Sequence, residues 1–308
     1  MSSRRIGTGW APYFFLGPFL AIFLIFGIFP ILFSLYLMFH IWDPVQGLGS
    51  MEYVGLENIT FALEDPLMWT SLENTIWLAV ASGVPQHLVA IPLAYLINEY
   101  LGRYRDVAMG AYFVPYITST VAISIMFTTL FSTDYGAVNA ALQSLATWEP
   151  LALIVPAENI DWLGKPETVK PVLAFVVFWR YVGFNTILYV AALQSIPKDL
   201  YEAARIDGAK EFKIFWFITL PQLKPMMYFG VILSLIGGLQ LFEEPFIITG
   251  GRGGPEYSGM TTAMYMYRTA FEFNDYGLAS AISWLLFLVI AVLTWLTNRA
   301  FKPKGGLA

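Results

Sequence analysis

From Ala11 to Phe39 the chain runs for 29 residues without one Asp, Glu, Lys, Arg or His. As a helix, an apolar stretch of that length suits a lipid bilayer: about 20 helical residues cross the hydrocarbon core, and a helix satisfies its backbone hydrogen bonds internally. Five further stretches pass the same length test: 75–97, 107–131, 171–193, 226–249 and 278–297. The fourth and fifth carry ionisable residues. Only 13% of the 308 residues are charged and 57% are hydrophobic, against about a quarter charged in soluble domains. The expected fold is an all-α polytopic membrane protein with six transmembrane helices, a single transmembrane domain over residues 1–308. The first stretch follows Arg4 and Arg5, but it is about twice the length of a signal-peptide core and is expected to be retained.

Lysine and arginine set the orientation. Segments 1–10, 98–106, 194–225 and 298–308 hold 12 of the 17 basic residues, and the alternating segments 40–74, 132–170 and 250–277 hold 4. Both termini and segment 194–225 are therefore expected on the cytoplasmic side of the membrane. The alternating loops carry 14 of the 22 acidic residues, a pattern that gives nucleic-acid binding no support. With no cysteine and only His40 and His87, there is no disulfide, thiolate or Cys/His metal chemistry to expect.

Segment 194–225 stands out because it is charged, interrupted by Gly208 and punctuated by Pro221 and Pro225. Ser195, Pro197 and Asp199 supply helix-start chemistry. A short helix then runs to about Asp207, Gly208 sits where chains leave a helix with positive φ, and a second amphipathic stretch, 210–220, precedes the prolines. Leu200, Ala203, Ala204 and Ile206 make a small apolar face beside polar Glu202, Arg205 and Asp207. Such a face suits a protein groove better than lipid, and an amphipathic hairpin lying on the bilayer surface is the competing reading.

The stretch "LQSIPKDLYEAARIDGAKEFKIFWFITLPQLKP" resembles the EAA loop of the membrane-spanning subunits of bacterial ATP-binding-cassette importers, above all the carbohydrate importers related to the maltose and glycerol-3-phosphate systems. "FWRYVGFNTILYVAALQSIP" and "FIITGGRGGP" agree as well, although Arg252 interrupts a glycine run that the family writes as TGGGP. The resemblance implies a type I ABC importer permease fold in which Glu202, Ala203, Ala204, Asp207, Gly208 and Ala209 form the coupling element that docks into a separate ATPase. It also implies a bacterial inner-membrane location and the partners: a second permease subunit, two ATPase subunits, an extracytoplasmic solute-binding protein and a sugar. Consistently, the sequence contains no G-x-x-x-x-G-K-[ST] phosphate loop, so the chain is not expected to be an enzyme or to hold a cofactor.

Ionisable and polar side chains at membrane depth are costly and face a cavity or a partner. Glu243 and Glu244 lie near the outer end of the fifth stretch with Gln240 and Phe242. Acceptors beside aromatic rings suit a sugar; equally, either carboxylate can snorkel to the interface or pair with a cation. Arg180 and Asn185 in the fourth stretch pose the same choice between pathway lining and a structural or gating ion pair. Gln86 and His87 follow Pro85 and either line a pathway or satisfy carbonyls freed by the proline. An ion-coupled secondary transporter is the alternative function; it calls for inverted repeats and carboxylates in several spans, and here they occur in one.

Overall fold

A computed structural model describes residues 11–148, 156 and 158–301. Helices dominate it, and five are long and apolar enough to cross a membrane, with a sixth crossing if one bent pair is counted as a single span. The all-α polytopic expectation holds. The chain divides into two compact units, one of the described residues up to Asp65 with Met266–Leu285, the other Pro66–Tyr265 with the described residues from Leu286.

In the first unit, α1 (Ala11–Phe23), a wide five-residue π turn (Leu24–Ile28) and α2 (Phe29–Leu37) form one continuous apolar rod. Pro30 follows the π turn; it has no N–H to return to the preceding turn, and the wider turn relieves its ring clash. A two-stranded antiparallel pair follows, β1 (His40–Ile41) with β2 (Glu52–Tyr53), then α3 (Glu57–Glu64). Buried Asn58 on α3 donates to the Met38 and His40 carbonyls at 3.1 and 3.0 Å, tying α3 to the end of the rod.

The second unit is built on α4 (Pro66–Tyr100), α5 (Arg105–Ile117), α6 (Thr120–Leu130), α7 (Ala137–Ala146) and α8 (Pro166–Leu193). It continues with α9 (Lys198–Ile206), α10 (Glu211–Ile214), a π turn (Phe215–Thr219), α11 (Leu220–Leu239) and α12 (Glu243–Ile248). Among the described residues α13 (Thr262–Phe271) and α14 (Tyr276–Phe301) follow. Two apolar clusters hold the second unit. One gathers Leu78, Phe127, Phe131, Leu173, Val176 and Leu241; the other gathers Ala90, Ile97, Tyr189, Leu193, Ile214 and Leu223. Where α5 crosses α8, a Cβ on Gly183 would overlap the Tyr112 carbonyl; the helices pack backbone to backbone there, as small residues permit in membranes.

Three sequence expectations need correction. The stretch 107–131 is not one straight helix: α5 and α6 meet at an 89° bend, where Thr118 and Ser119 are extended and the Thr118 hydroxyl takes the Val114 carbonyl at 2.7 Å. The Thr118 amide bonds the same carbonyl at 3.1 Å, and an i−4 side-chain bond of this kind accompanies helix bends. Pro221 does not end the second amphipathic stretch. The π turn lies immediately before Leu220 and Pro221, and the helix runs on into α11, because the wide turn accommodates the missing N–H. Ser195 caps no helix start; its Oγ donates back to the Ala192 carbonyl at 2.7 Å, and α9 begins without a side-chain cap.

Candidate functional site

Two features of the second unit concentrate the polar chemistry. The first is a partly open cavity of about 220 Å³ lined by α4, α5, α8 and α11 with Leu241 just beyond it. Its polar lining is Ser82, Gln86, Asn185 and Ser234, and its rings are Tyr116, Tyr181 and Phe184. The helical spacing of Val177, Tyr181 and Phe184 with Asn185 turns one stripe of α8 into this wall. Tyr116 of α5 stacks on Phe184 at 4.6 Å between centroids and meets Tyr181 edge-on at 5.8 Å. Asn185, 1% exposed, donates to the Gln86 Oε1 at 3.0 Å and lies 3.5 Å from the Ser234 Oγ. Its own Oδ1 has no hydrogen-bond partner. A buried acceptor left open beside a cavity is ready for a hydroxyl donor. The side chains that line the cavity are all uncharged.

Beside that wall, Arg180 of α8 pairs with Glu244 of α12, both largely buried, and the guanidinium also lies 5.2 Å from the Tyr181 ring centre. The helix of the fifth stretch stops at Leu239, passes through non-helical Gln240 and Phe242, and restarts at Glu243. Pro245 cannot donate an N–H back into that turn, and Thr261 Oγ1 donates to the freed Leu241 carbonyl at 2.8 Å. The sequence candidates therefore separate. Asn185 lines the cavity, Arg180 and Glu244 neutralise each other next to it, and Gln240 and Glu243 are exposed at the break. Phe242 stacks on Phe246 at 4.9 Å. Gln86 is in the lining, whereas His87 Nδ1 meets the Tyr189 hydroxyl at 2.7 Å. Tyr116, Tyr181, Phe184, Ser82 and Ser234 were not singled out from sequence; the four-residue spacing that aligns Tyr181 with Asn185 was the readable signal.

The second feature is α9. Its exit is a Schellman turn: the Ala209 amide reaches the Ala204 carbonyl at 2.9 Å, the Gly208 amide reaches Arg205 at 3.1 Å, and Gly208 has φ +75°. Tyr201, buried, anchors the helix from beneath, its hydroxyl 3.3 Å from the Thr219 Oγ1. Burial pushes that hydroxyl above its ordinary pKa, only partly offset by the Thr219 hydrogen bond. Arg205 bridges to Glu99 at the end of α4 (3.3 Å) and to Glu211 on α10 (3.1 Å), and Tyr95 donates to Glu211 at 2.7 Å. Glu202, Ala203 and Asp207 are exposed, and Ala204 and Ala209 are half-buried. The element is thus held firmly by its own chain yet presents an open face. Among the described residues no group of Asp, Glu, His or Cys could hold a metal ion.

Residues 88–303 match the family described as binding-protein-dependent transport system inner membrane component. The lactose transport system permease protein LacF of Rhizobium radiobacter is 37% identical over 96% of this chain and 95% of its own length. The arabinooligosaccharides transport system permease protein AraP of Bacillus subtilis (strain 168) is 34% identical over 96% of this chain and 90% of its own. The fold matches a bacterial ABC transporter involved in import of the acidic polysaccharide alginate, with a TM-score of 0.80 at 24% identity over 96% of both chains. The secondary-transporter alternative falls with these matches: this multi-pass chain is a permease of the ABC importer type, and it belongs to the family of binding-protein-dependent transport system inner membrane components.

Proposed function

We propose that the chain is one of two permease subunits of an importer for carbohydrates, driven by a separate pair of ATPase subunits and supplied by an extracytoplasmic solute-binding protein. The observation that carries the substrate class is the uncharged, aromatic-walled cavity with the open Asn185 acceptor. Sugar hydroxyls donate to amides and hydroxyls while sugar C–H faces pack on rings. Relatives named for lactose and arabino-oligosaccharides support that reading. Gln240, Phe242 and Glu243, at the break beyond the cavity, are assigned to the pathway's approach. Arg180 and Glu244 are assigned to holding α12 against α8 there.

In this reading α9 is the coupling element within segment 194–225. Glu202, Ala203, Ala204, Asp207, Gly208 and Ala209 meet the ATPase, and the Arg205 bridges transmit its motion to α4 and α10. The basic flanks support a cytoplasmic location for this segment and for both termini.

The test is sugar uptake by the assembled importer in vesicles with Asn185→Leu. The variant removes the open acceptor while keeping the number and branching of side-chain heavy atoms. It should raise the half-saturating sugar concentration or abolish uptake while the ATPase still co-purifies. Unchanged uptake would remove the cavity from the pathway.

A further inference from the structure

The helix that begins at α10 is longer than a bilayer crossing needs. Glu211 to Leu239 runs as 29 helical residues through the π turn, about 43 Å at 1.5 Å per residue, whereas about 20 residues span the hydrocarbon core. The surplus lies where the chain leaves the coupling element, and there the helix has two distinct faces. Ile214, Thr219 and Leu223 are buried within the second unit. The opposite face carries Phe212, Trp216 and Phe217, which are 74%, 48% and 78% exposed, with the Phe212 and Trp216 rings 6.0 Å apart. Lys213 and Lys224 share that face and are exposed too.

Three large aromatic side chains open on a surface helix are unfavourable in water. Rings at headgroup level flanked by lysines whose stems lie on apolar surface and whose ammonium groups reach phosphates are the composition of the membrane interface. The stripe also continues directly into a membrane-crossing helix, so the bilayer surface already bounds one end of it. We propose that Phe212, Trp216 and Phe217, with Lys213 and Lys224, anchor the exit of the coupling element in the headgroup boundary of the adjacent leaflet. This rests on the assignment of α9 as the coupling element. Nucleotide-driven motion would then pass from α9 through the Arg205 bridge into a helix whose first turns move along the bilayer surface rather than through water.

The chain has no native cysteine, so Phe217→Cys and Ile206→Cys can be spin-labelled in the complete importer, assembled with cysteine-free partners in vesicles of phosphatidylcholine and phosphatidylglycerol. The label at 217 should collide several-fold more with oxygen than with a water-soluble nickel chelate. A second measurement replaces Phe212 or Phe217 by benzoylphenylalanine, which should form phospholipid adducts on illumination. Adducts to the ATPase or the second permease, or preferential collision at 217 with the nickel chelate, would overturn the proposal. The same photoreactive group at Ile206, 86% exposed on α9, tests the underlying assignment separately. Failure to reach the ATPase from 206 with lipid adducts at 217 would sink the coupling role and leave the anchor standing.

Discussion

Glu244→Ala should be among the most damaging single substitutions in the second unit, and the reason can be worked from its surroundings. The carboxylate side chain is 3% exposed and its partner, Arg180, 12%. Arg180 Nε is already buried without an acceptor, so removing Glu244 leaves a guanidinium whose main remaining neighbour is the Tyr181 ring. Breaking a buried pair from one side costs about 3–5 kcal/mol, whereas replacing both partners by apolar groups of similar volume is often close to neutral. Arg180→Met with Glu244→Leu should therefore recover most of the loss. The assay is equilibrium unfolding in mixed micelles with increasing sodium dodecyl sulfate, with wild type, Arg180→Met, Glu244→Leu and their double variant read as a double-mutant cycle beside Glu244→Ala. A loss under about 1 kcal/mol for Glu244→Ala, or strictly additive effects in the double variant, would refute the account of an isolated buried pair.

Other expectations follow from the same geometry. Gly208→Val forces a β-branched residue to φ +75° and should cost about 1 kcal/mol or more, loosening ATPase co-purification while the spans still insert. Glu202→Lys inverts an exposed charge and should leave folding intact but abolish import; wild-type transport in both variants would exclude α9 as the coupling element. Gly183→Val should drive α5 and α8 apart, since even a Cβ overlaps the Tyr112 carbonyl, and should be seen as loss of folded material in detergent; normal thermal stability would contradict the close crossing. A cysteine at Lys210 should be shielded from an impermeant reagent added outside, and one at Tyr135 should react; the reverse would overturn the orientation.

Much of this architecture was legible because its causes are local. Unbroken apolar length marks a bilayer crossing residue by residue, and the glycine after "EAARID" announces a positive φ. Helix interruptions were harder to read. The bend between α5 and α6 comes at two extended residues, Thr118 and Ser119, neither a glycine nor a proline, and the π turn before Pro221 lets a residue that usually ends a helix sit inside one. Least legible were the pairings across helices. Nothing near Glu244 in the sequence names Arg180, 64 residues away, as its partner. Likewise Arg205 joins Glu99 and Glu211 only because α4, α9 and α10 converge. The candidate cavity was half visible for a related reason: Asn185 and Gln86 stand out as polar residues in apolar runs, while Tyr181 and Phe184 look like ordinary span residues until α5 and α11 close over them.

If this permease moves sugar only when a partner hydrolyses ATP, the full importer reconstituted in vesicles should show it with radiolabelled lactose and an arabino-oligosaccharide, with and without ATP and with and without the binding protein. At least one sugar should accumulate in a manner that requires both ATP and the binding protein and is indifferent to proton or sodium gradients. Gradient-driven uptake without nucleotide would contradict it.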